Sequence, residues 1–211
     1  IGNNAFTGAF NNPDGRNGAT VGLTFANCTV VNDGAFQSTA CLGTVTLSDN
    51  TATIGAYAFQ DSGITTFPVA ATNTALTTIK GNSFQNCDGL TTVTIPAGVT
   101  TIEGNAFEHC GELTTLKLGE HVSTLQTSAT LNCPKLTAFE VDTDNTTFSA
   151  IAGFLLNKTG TDIIRCPSGL TGNGYLTNAF ASVTTIKENA FHGSNLNKLT
   201  FSDNITTIER F

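Results

Sequence analysis

A phenylalanine that recurs at nearly even intervals is the feature that most constrains the fold of this 211-residue chain. From Phe36 to Phe107 the steps are equal, except that the step from Phe59 to Phe84 is slightly longer. A period of about 23 residues is typical of a solenoid, in which stacked units bury a core that one unit cannot bury alone. Fifteen Phe against two Tyr and no Trp fit one aromatic position used many times. The predicted phenylalanine spine consists of Phe36, Phe59, Phe84, Phe107 and Phe191.

Residues 90–110 show the complete repeat. Val93 and Ile95 alternate with threonines, and this period of two predicts a strand with one face directed inward. Asn105 precedes Phe107 at a place where an asparagine side chain caps a helical turn. The sequence therefore predicts coils of about 23 residues, each with a β-strand and a short helical or 3-10 turn. The equivalent predicted capping residues are Asn82 and Asn189.

The period is interrupted in three places. A Gly-, Asn- and Pro-rich segment at about 10–19 predicts a loop insertion. Thr130 stands where the next spine phenylalanine is due, and Leu131 is expected to fill that site. Residues 141–175 depart from the repeat, and Asn157–Gly160 is flanked by apolar runs that predict a β-hairpin. We expect one solenoid over residues 1–211 and, because no initial Met is present, a piece of a longer chain.

The recurring pattern V-T-T-I-x-x-N-A-F-x-x-C-x-x-L-T-T-V-x-I-P resembles the BspA-like leucine-rich repeats of bacterial and protist surface proteins. Residues 141–167 also resemble the hairpin unit of that family. The resemblance covers nearly the whole chain. It implies a leucine-rich-repeat solenoid, exposure at a surface, adhesion to host proteins or other cells, and no catalytic residues to carry over. The chain departs from the family pattern at Thr130 and at residues 175–182.

Cys87, Cys110 and Cys133 lie one repeat period apart, so they occupy one position on successive coils. Three stacked cysteines cannot all pair, and we predict a ladder of buried thiols that pack as small apolar groups. The pairing of Cys41 and Cys166 stays open. No C-x-x-C motif is present, which argues against a zinc site and a thioredoxin-type redox pair.

The charge of the chain excludes several partners. Net charge is -7 and only 12% of residues are charged, which argues against binding to nucleic acid or to an anionic membrane. No apolar run approaches the length of a membrane span. No nucleotide-binding, hydrolase or metalloprotease motif occurs, and Asp142 and Asp144 lack the glycine and distal glutamate of a calcium loop. We therefore predict a protein without catalytic activity, cofactor or metal.

Threonine dominates the positions that are expected to face outward from the main strands. Such an array can bind protein or glycan, although threonine is also simply a good strand residue on a solvated face. Four N-x-S/T sequences are possible glycosylation sites. The candidate binding face consists of Thr44, Thr46, Thr66, Thr92, Thr94, Thr115 and Thr200, and the possible glycosylation sites are Asn27, Asn145, Asn157 and Asn204.

These observations predict a non-enzymatic, extracellular or cell-surface binding module of the adhesin type, with a protein or glycan ligand. An alternative is a structural protein that assembles end to end into filaments or a coat, because neither end of the repeat has a polar capping unit. A third hypothesis is a scaffold beside a catalytic domain in a longer chain.

Overall fold

A computed structural model describes residues 1–11, 20–175, 179–201 and 203–210. These residues form a β-solenoid of about eight coils, so the predicted solenoid is confirmed. Most of the predicted loop insertion at about 10–19 lies outside the described residues. Seventeen strands occur in the described part of the chain and are numbered here in chain order.

The longer strands of successive coils form the main sheet. They pair in parallel as β1–β3, β6–β8–β10 and β14–β16. The inward side chains of β3 and β8 are apolar, and buried residues alternate in both strands with more exposed ones. The strands of the main sheet are β1 (Val21–Phe25), β3 (Leu42–Leu47), β6 (Thr92–Thr94), β8 (Thr115–Leu118), β10 (Ala138–Val141), β14 (Thr171–Tyr175) and β16 (Asn195–Leu199).

A second column of strands, each two residues long, lies after the turn that follows each main strand. Ile79 and Ile102 pair in register in this column and are fully buried, while the threonine before each is half-buried. Parallel pairing joins β2–β4, β5–β7–β9 and β15–β17. These strands are β2 (Val30–Val31), β4 (Thr53–Ile54), β5 (Thr78–Ile79), β7 (Thr101–Ile102), β9 (Thr124–Leu125), β15 (Thr185–Ile186) and β17 (Thr207–Ile208).

The predicted helical turn is wrong, because the described residues contain no helix. Asn82, Asn105 and Asn189 have φ angles of 59°, 58° and 57°. Asparagine adopts this left-handed conformation more readily than most residues, so it serves here as a turn residue and not as a helix cap. The amide of Phe84 donates to the Ala106 carbonyl of the next coil at 2.9 Å. An amide that is used between coils is unavailable to a helix within one coil.

The phenylalanine spine is a stack of nearly parallel rings. From Phe6 through Phe36, Phe59 and Phe84 to Phe107, successive ring centroids lie 5.0 to 5.4 Å apart and the ring planes differ by 3° to 11°. This separation is close to the spacing of about 4.8 Å between neighbouring strands, so each coil adds one ring. The four rings from Phe36 to Phe107 are fully buried.

The stack ends at Thr130, which occupies the place of a phenylalanine. The Phe107 amide donates to the Ala129 carbonyl, just as Phe84 donates to Ala106, so the backbone stays in phase. Thr130 itself is buried, whereas Leu131 is only half-buried, and the expectation that Leu131 fills the site is wrong. Cys166 occupies the next spine position. Its amide donates to the carbonyl of Ala190, the residue before Phe191.

Three antiparallel strands replace the regular coil after β10. They are β11 (Phe148–Ile151), β12 (Phe154–Asn157) and β13 (Asp162–Arg165), and β13 then pairs in parallel with β15. The β12–β13 connection lies at the hairpin that the sequence predicts. The tight turn between β11 and β12 was not predicted; Ala152 and Gly153 both have positive φ there, as a two-residue hairpin turn requires.

Strand β12 separates two apolar clusters. Leu155 belongs to the cluster that contains the phenylalanine stack, whereas Phe154 and Leu156 belong to a second cluster. All three side chains are fully buried. Successive residues of a strand point to opposite faces, so β12 contributes side chains to both clusters. Phe191 is half-buried in the second cluster and meets Phe154 edge to face at 6.1 Å, so it does not continue the parallel stack.

Arg165 is a buried cation at this break in the repeat. Its position corresponds to the small residue, alanine or serine, that precedes each spine phenylalanine, and it is only 3% exposed. Nη1 donates to the Asn189 carbonyl at 2.8 Å, while Nη2 has no hydrogen-bond partner among the described residues. Burial lowers the pKa of the guanidinium, and the nearby thiols of Cys166 and Cys133 are the next influence. A long side chain is accommodated at the point where Thr130 and Cys166 replace two phenylalanines.

Candidate binding surface

The outward face of the main sheet carries two columns of side chains in register. In one column Thr92, Thr115 and Ala138 are neighbours on β6, β8 and β10. In the other column, the residue on β6 is threonine and those on β8 and β10 are charged. Thr44, Thr46 and Thr92 are exposed, Thr94 and Thr115 are half-buried, and Thr66 and Thr200 are exposed but lie outside strands.

Lys117 and Glu140 are the surface residues that sequence reasoning missed. They are the register partners of Thr94 on the outward face of the main sheet, Lys117 on β8 and Glu140 on β10. Opposite charges directly across two strands attract each other. The signal was available in the sequence, because Lys117 lies one repeat period after Thr94 and Glu140 lies one period further on.

A hollow of about 520 Å³ lies where this face meets the β11–β12 turn. Ala138 and Glu140 of β10, Lys117 of β8, and Ala150 and Gly153 of the hairpin are among its lining residues. A second hollow of about 240 Å³, toward the turn after β8, also has Lys117 in its wall. The two depressions therefore adjoin, and Asp142 lines both.

Negative charge predominates around this hollow. Glu140 is exposed and Asp142 is half-buried, and Asp142 Oδ1 accepts the Asp144 amide at 3.0 Å. In the described part of the chain, neither carboxylate forms an ion pair, and Lys117 forms none either. Within the same residues, no group of three or more His, Cys, Asp or Glu side chains could hold a metal ion.

Threonine also has a structural use between coils. The Thr100 hydroxyl donates to the Thr77 carbonyl of the preceding coil at 3.2 Å. The Thr114 hydroxyl donates to the Thr91 carbonyl at 2.9 Å in the same way. These exposed threonines join coils to each other, so threonine richness alone does not mark a binding face.

Comparison with known families identifies the repeat. The family described as BspA type leucine-rich repeat region matches in six copies, over residues 29–159 and 175–211. The chain belongs to this family. The resemblance noted in the sequence is thereby confirmed. No curated protein matches the chain. No helix in the described residues has the length and apolar character needed to cross a membrane.

Solved leucine-rich-repeat structures share the fold of this BspA-type chain. A leucine-rich repeat protein from Eubacterium ventriosum has a TM-score of 0.69 at 20% identity, and the match covers 88% of this chain and 48% of that one. A leucine-rich cell surface protein from Faecalibacterium prausnitzii has a TM-score of 0.57 at 23% identity over 90% and 56%. The pneumococcal vaccine antigen PcpA has a TM-score of 0.63 at 17% identity over 90% and 57%. The BspA-type chain thus spans about half the length of each of these structures.

A ladder of side-chain amides, which sequence reasoning also missed, runs beside the spine. Gln37 Nε2 donates to Gln60 Oε1 at 2.6 Å. Gln60 donates to Gln85 at 2.6 Å, and Gln85 donates to Glu108 at 2.7 Å. An ionised carboxylate only accepts, so Glu108 ends the ladder one coil before Leu131 takes this position. Each member directly follows a spine phenylalanine, and that position was a readable signal.

The predicted cysteine ladder lies inside the BspA-type solenoid, with all six cysteines free. Each stacked thiol donates to the carbonyl of a spine phenylalanine in the preceding coil, at 3.0 to 3.2 Å. Burial raises the pKa of Cys87 to about 12 and that of Cys133 to about 11. It also raises the pKa of Cys110 well above its ordinary range and that of Cys166 to about 12.

Thiol reagents test this arrangement. Because the thiolate is the reactive form, we expect the buried cysteines to resist alkylation in the native protein at about pH 8. Cys28 and Cys41, which are partly exposed, are expected to react. Mass spectrometry of the maleimide-treated protein should show two modified cysteines in buffer and six in denaturant. Rapid native labelling of Cys110 would contradict the burial.

The same thiols predict a loss of stability at high pH. Their folded pKa values are raised above the ordinary value of 9.0. Their stabilising contribution is therefore complete below about pH 9 and is lost as the pH rises through the folded pKa values, at about 1.4 kcal/mol per pH unit for each thiol. Urea titrations between about pH 8 and 11 should show this decline. Replacement of Cys110 by alanine should make the slope shallower by one thiol, and an unchanged slope would contradict the assignment.

The possible glycosylation sites differ in accessibility. Asn145 is fully buried, and its Nδ2 donates to the carbonyls of Gly119 at 2.8 Å and Val122 at 2.9 Å. A glycan on that nitrogen is incompatible with these bonds, so the prediction for Asn145 is wrong in the folded chain. Asn27 and Asn204 are exposed and Asn157 is half-buried; they remain predictions.

Proposed function

We propose that this BspA-type chain is a non-enzymatic binding module at a cell surface or in the extracellular space, with a protein ligand. Its contact surface is the outward face of the main sheet. The observation that carries the proposal is the change from threonines to Lys117 and Glu140 beside the hollow of about 520 Å³. The names of two structural neighbours, a cell surface protein and a vaccine antigen, support an exposed location.

The face is physically suited to association. Threonine is branched at Cβ and has few rotamers, so little side-chain freedom remains to be lost on binding. Ordering a long, flexible side chain at an interface costs about 0.5–1.5 kcal/mol, and most positions on this face avoid that cost. Thr92 and Thr46 project from strands that stacking already holds in place.

Affinity capture with matched variants tests the proposal. The immobilised chain is exposed to a panel of purified extracellular matrix proteins and glycans, and any retained ligand is titrated against variants. Thr92→Arg places a bulky charge on the proposed face and should weaken binding about tenfold or more. Thr124→Arg, the same change at an exposed threonine of the two-residue strand β9, should alter binding less than about twofold. A retained ligand that tolerates Thr92→Arg, or retention of glycans alone, would contradict the proposal.

A further inference from the structure

Strand β10 has one edge that pairs with no strand of the described residues, and the hollow lies beside this edge. In the order β10–β8–β6, only one side of β10 is paired with a strand of the described residues. The amides of Ala138 and Asp142 point to β8, where they donate to the carbonyls of Thr114 at 3.3 Å and Leu118 at 3.0 Å. Backbone groups alternate along a strand, so residues 139 and 141 direct theirs to the opposite side.

Val141 lines the hollow, and the alternation along β10 directs its backbone groups away from β8. The Phe139 amide is used, since it donates to the Gly153 carbonyl of the hairpin turn at 2.9 Å. Val141 is the next residue with the same orientation, and it lines the hollow together with Glu140 and Asp142. An unpaired edge of this kind accepts an added strand from another chain, because backbone hydrogen bonds form without regard to sequence.

The charges around this edge select the added segment. The residues that line the hollow carry two carboxylates, those of Glu140 and Asp142, and one ammonium group, that of Lys117; the Lys158 ammonium is held beside it by the Thr143 carbonyl at 3.1 Å. None of the three forms an ion pair among the described residues. The whole chain has a net charge of -7, which adds to the local excess of negative charge. A cationic side chain is the complement.

We propose that an extended segment of the protein ligand docks here, with its backbone paired to Val141 and a lysine or arginine between Glu140 and Asp142. The inference rests on the proposed function, because it names the part of the ligand that this surface holds. The hollow of about 520 Å³ has room for such a side chain.

Selection from a phage-displayed heptapeptide library tests the docking. The library is panned on the intact chain, and the enriched peptides are synthesised and titrated. Enriched peptides are expected to carry lysine or arginine. Glu140→Lys should weaken their binding about tenfold or more, while Asp49→Lys, the same charge change at an exposed carboxylate on another coil, should alter it less than about twofold. Two N-methylated peptides are compared, one methylated at its odd-numbered residues and one at its even-numbered residues. Only one of them should lose binding, because only one set of amides faces β10.

Three results would overturn the inference: no peptide enriched above background, enrichment of acidic peptides, or equal binding to the wild-type chain and Glu140→Lys. A protein ligand whose binding Thr92→Arg weakens and Glu140→Lys leaves unchanged would overturn the docking alone. A ligand that tolerates both variants would overturn the proposed surface as well.

Discussion

Replacement of Phe107 by alanine should lower the free energy of unfolding by about 3–5 kcal/mol. The ring is fully buried, lies 5.4 Å from Phe84 and is the last member of the parallel stack. Its neighbour on the other side is Thr130, which is too small to expand into the cavity. Urea denaturation of the wild type and the variant, followed by circular dichroism, measures the difference.

Phe191→Ala is the matched control for this prediction. Phe191 is half-buried and packs edge to face in the second cluster, so its removal should cost less than that of Phe107. Equal losses of unfolding free energy would show that a ring in the parallel stack contributes no more to stability than a ring outside it. A loss below about 1 kcal/mol for Phe107→Ala would contradict the packing itself.

Replacement of Asn145 by alanine should cost about 3 kcal/mol, because buried polar groups lose their partners. Its Nδ2 bonds two carbonyls, and its Oδ1 accepts the amides of Thr147 at 2.9 Å and Phe148 at 2.7 Å. These bonds hold the entry to β11. Asn73 occupies a comparable setting earlier in the chain, with two donated and two accepted bonds.

Asn50→Ala provides the comparison, since Asn50 is exposed and such surface changes usually stay within about 0.5 kcal/mol. Asn145→Asp keeps the two accepted bonds and loses the two donated ones. Its loss of unfolding free energy should therefore be at least half of that caused by Asn145→Ala. If Asn145→Ala and Asn50→Ala have the same denaturation midpoint, the side chain does not hold the β11 entry.

The repeat period predicted the stack because stacking repeats the same contacts in every coil. It could not predict the turn, since asparagine favours both helix caps and left-handed turns. The choice at Asn105 depends on amides that bond the next coil, and those bonds are not visible in one unit. The structure also places Thr130 in the core at a position where an apolar replacement was expected.

The candidate surface was only partly predictable. Strand alternation predicts that Thr92 and Thr94 face outward, but the richness in threonine gives no indication of Lys117 and Glu140. The register of successive coils would have placed both charges in the Thr94 column. The hollow has no counterpart in the period, because it is formed by the β11–β12 turn.

Hydrogen–deuterium exchange of the chain with a captured ligand tests the central claim, binding at the outward face of the main sheet, most directly. With a saturating ligand, we predict slower exchange in β8, β10 and the β11–β12 turn, and unchanged exchange in β5, β7 and β9. Protection that is confined to the two-residue strands β5, β7 and β9, or that is spread evenly over all coils, would contradict the assignment of the binding surface.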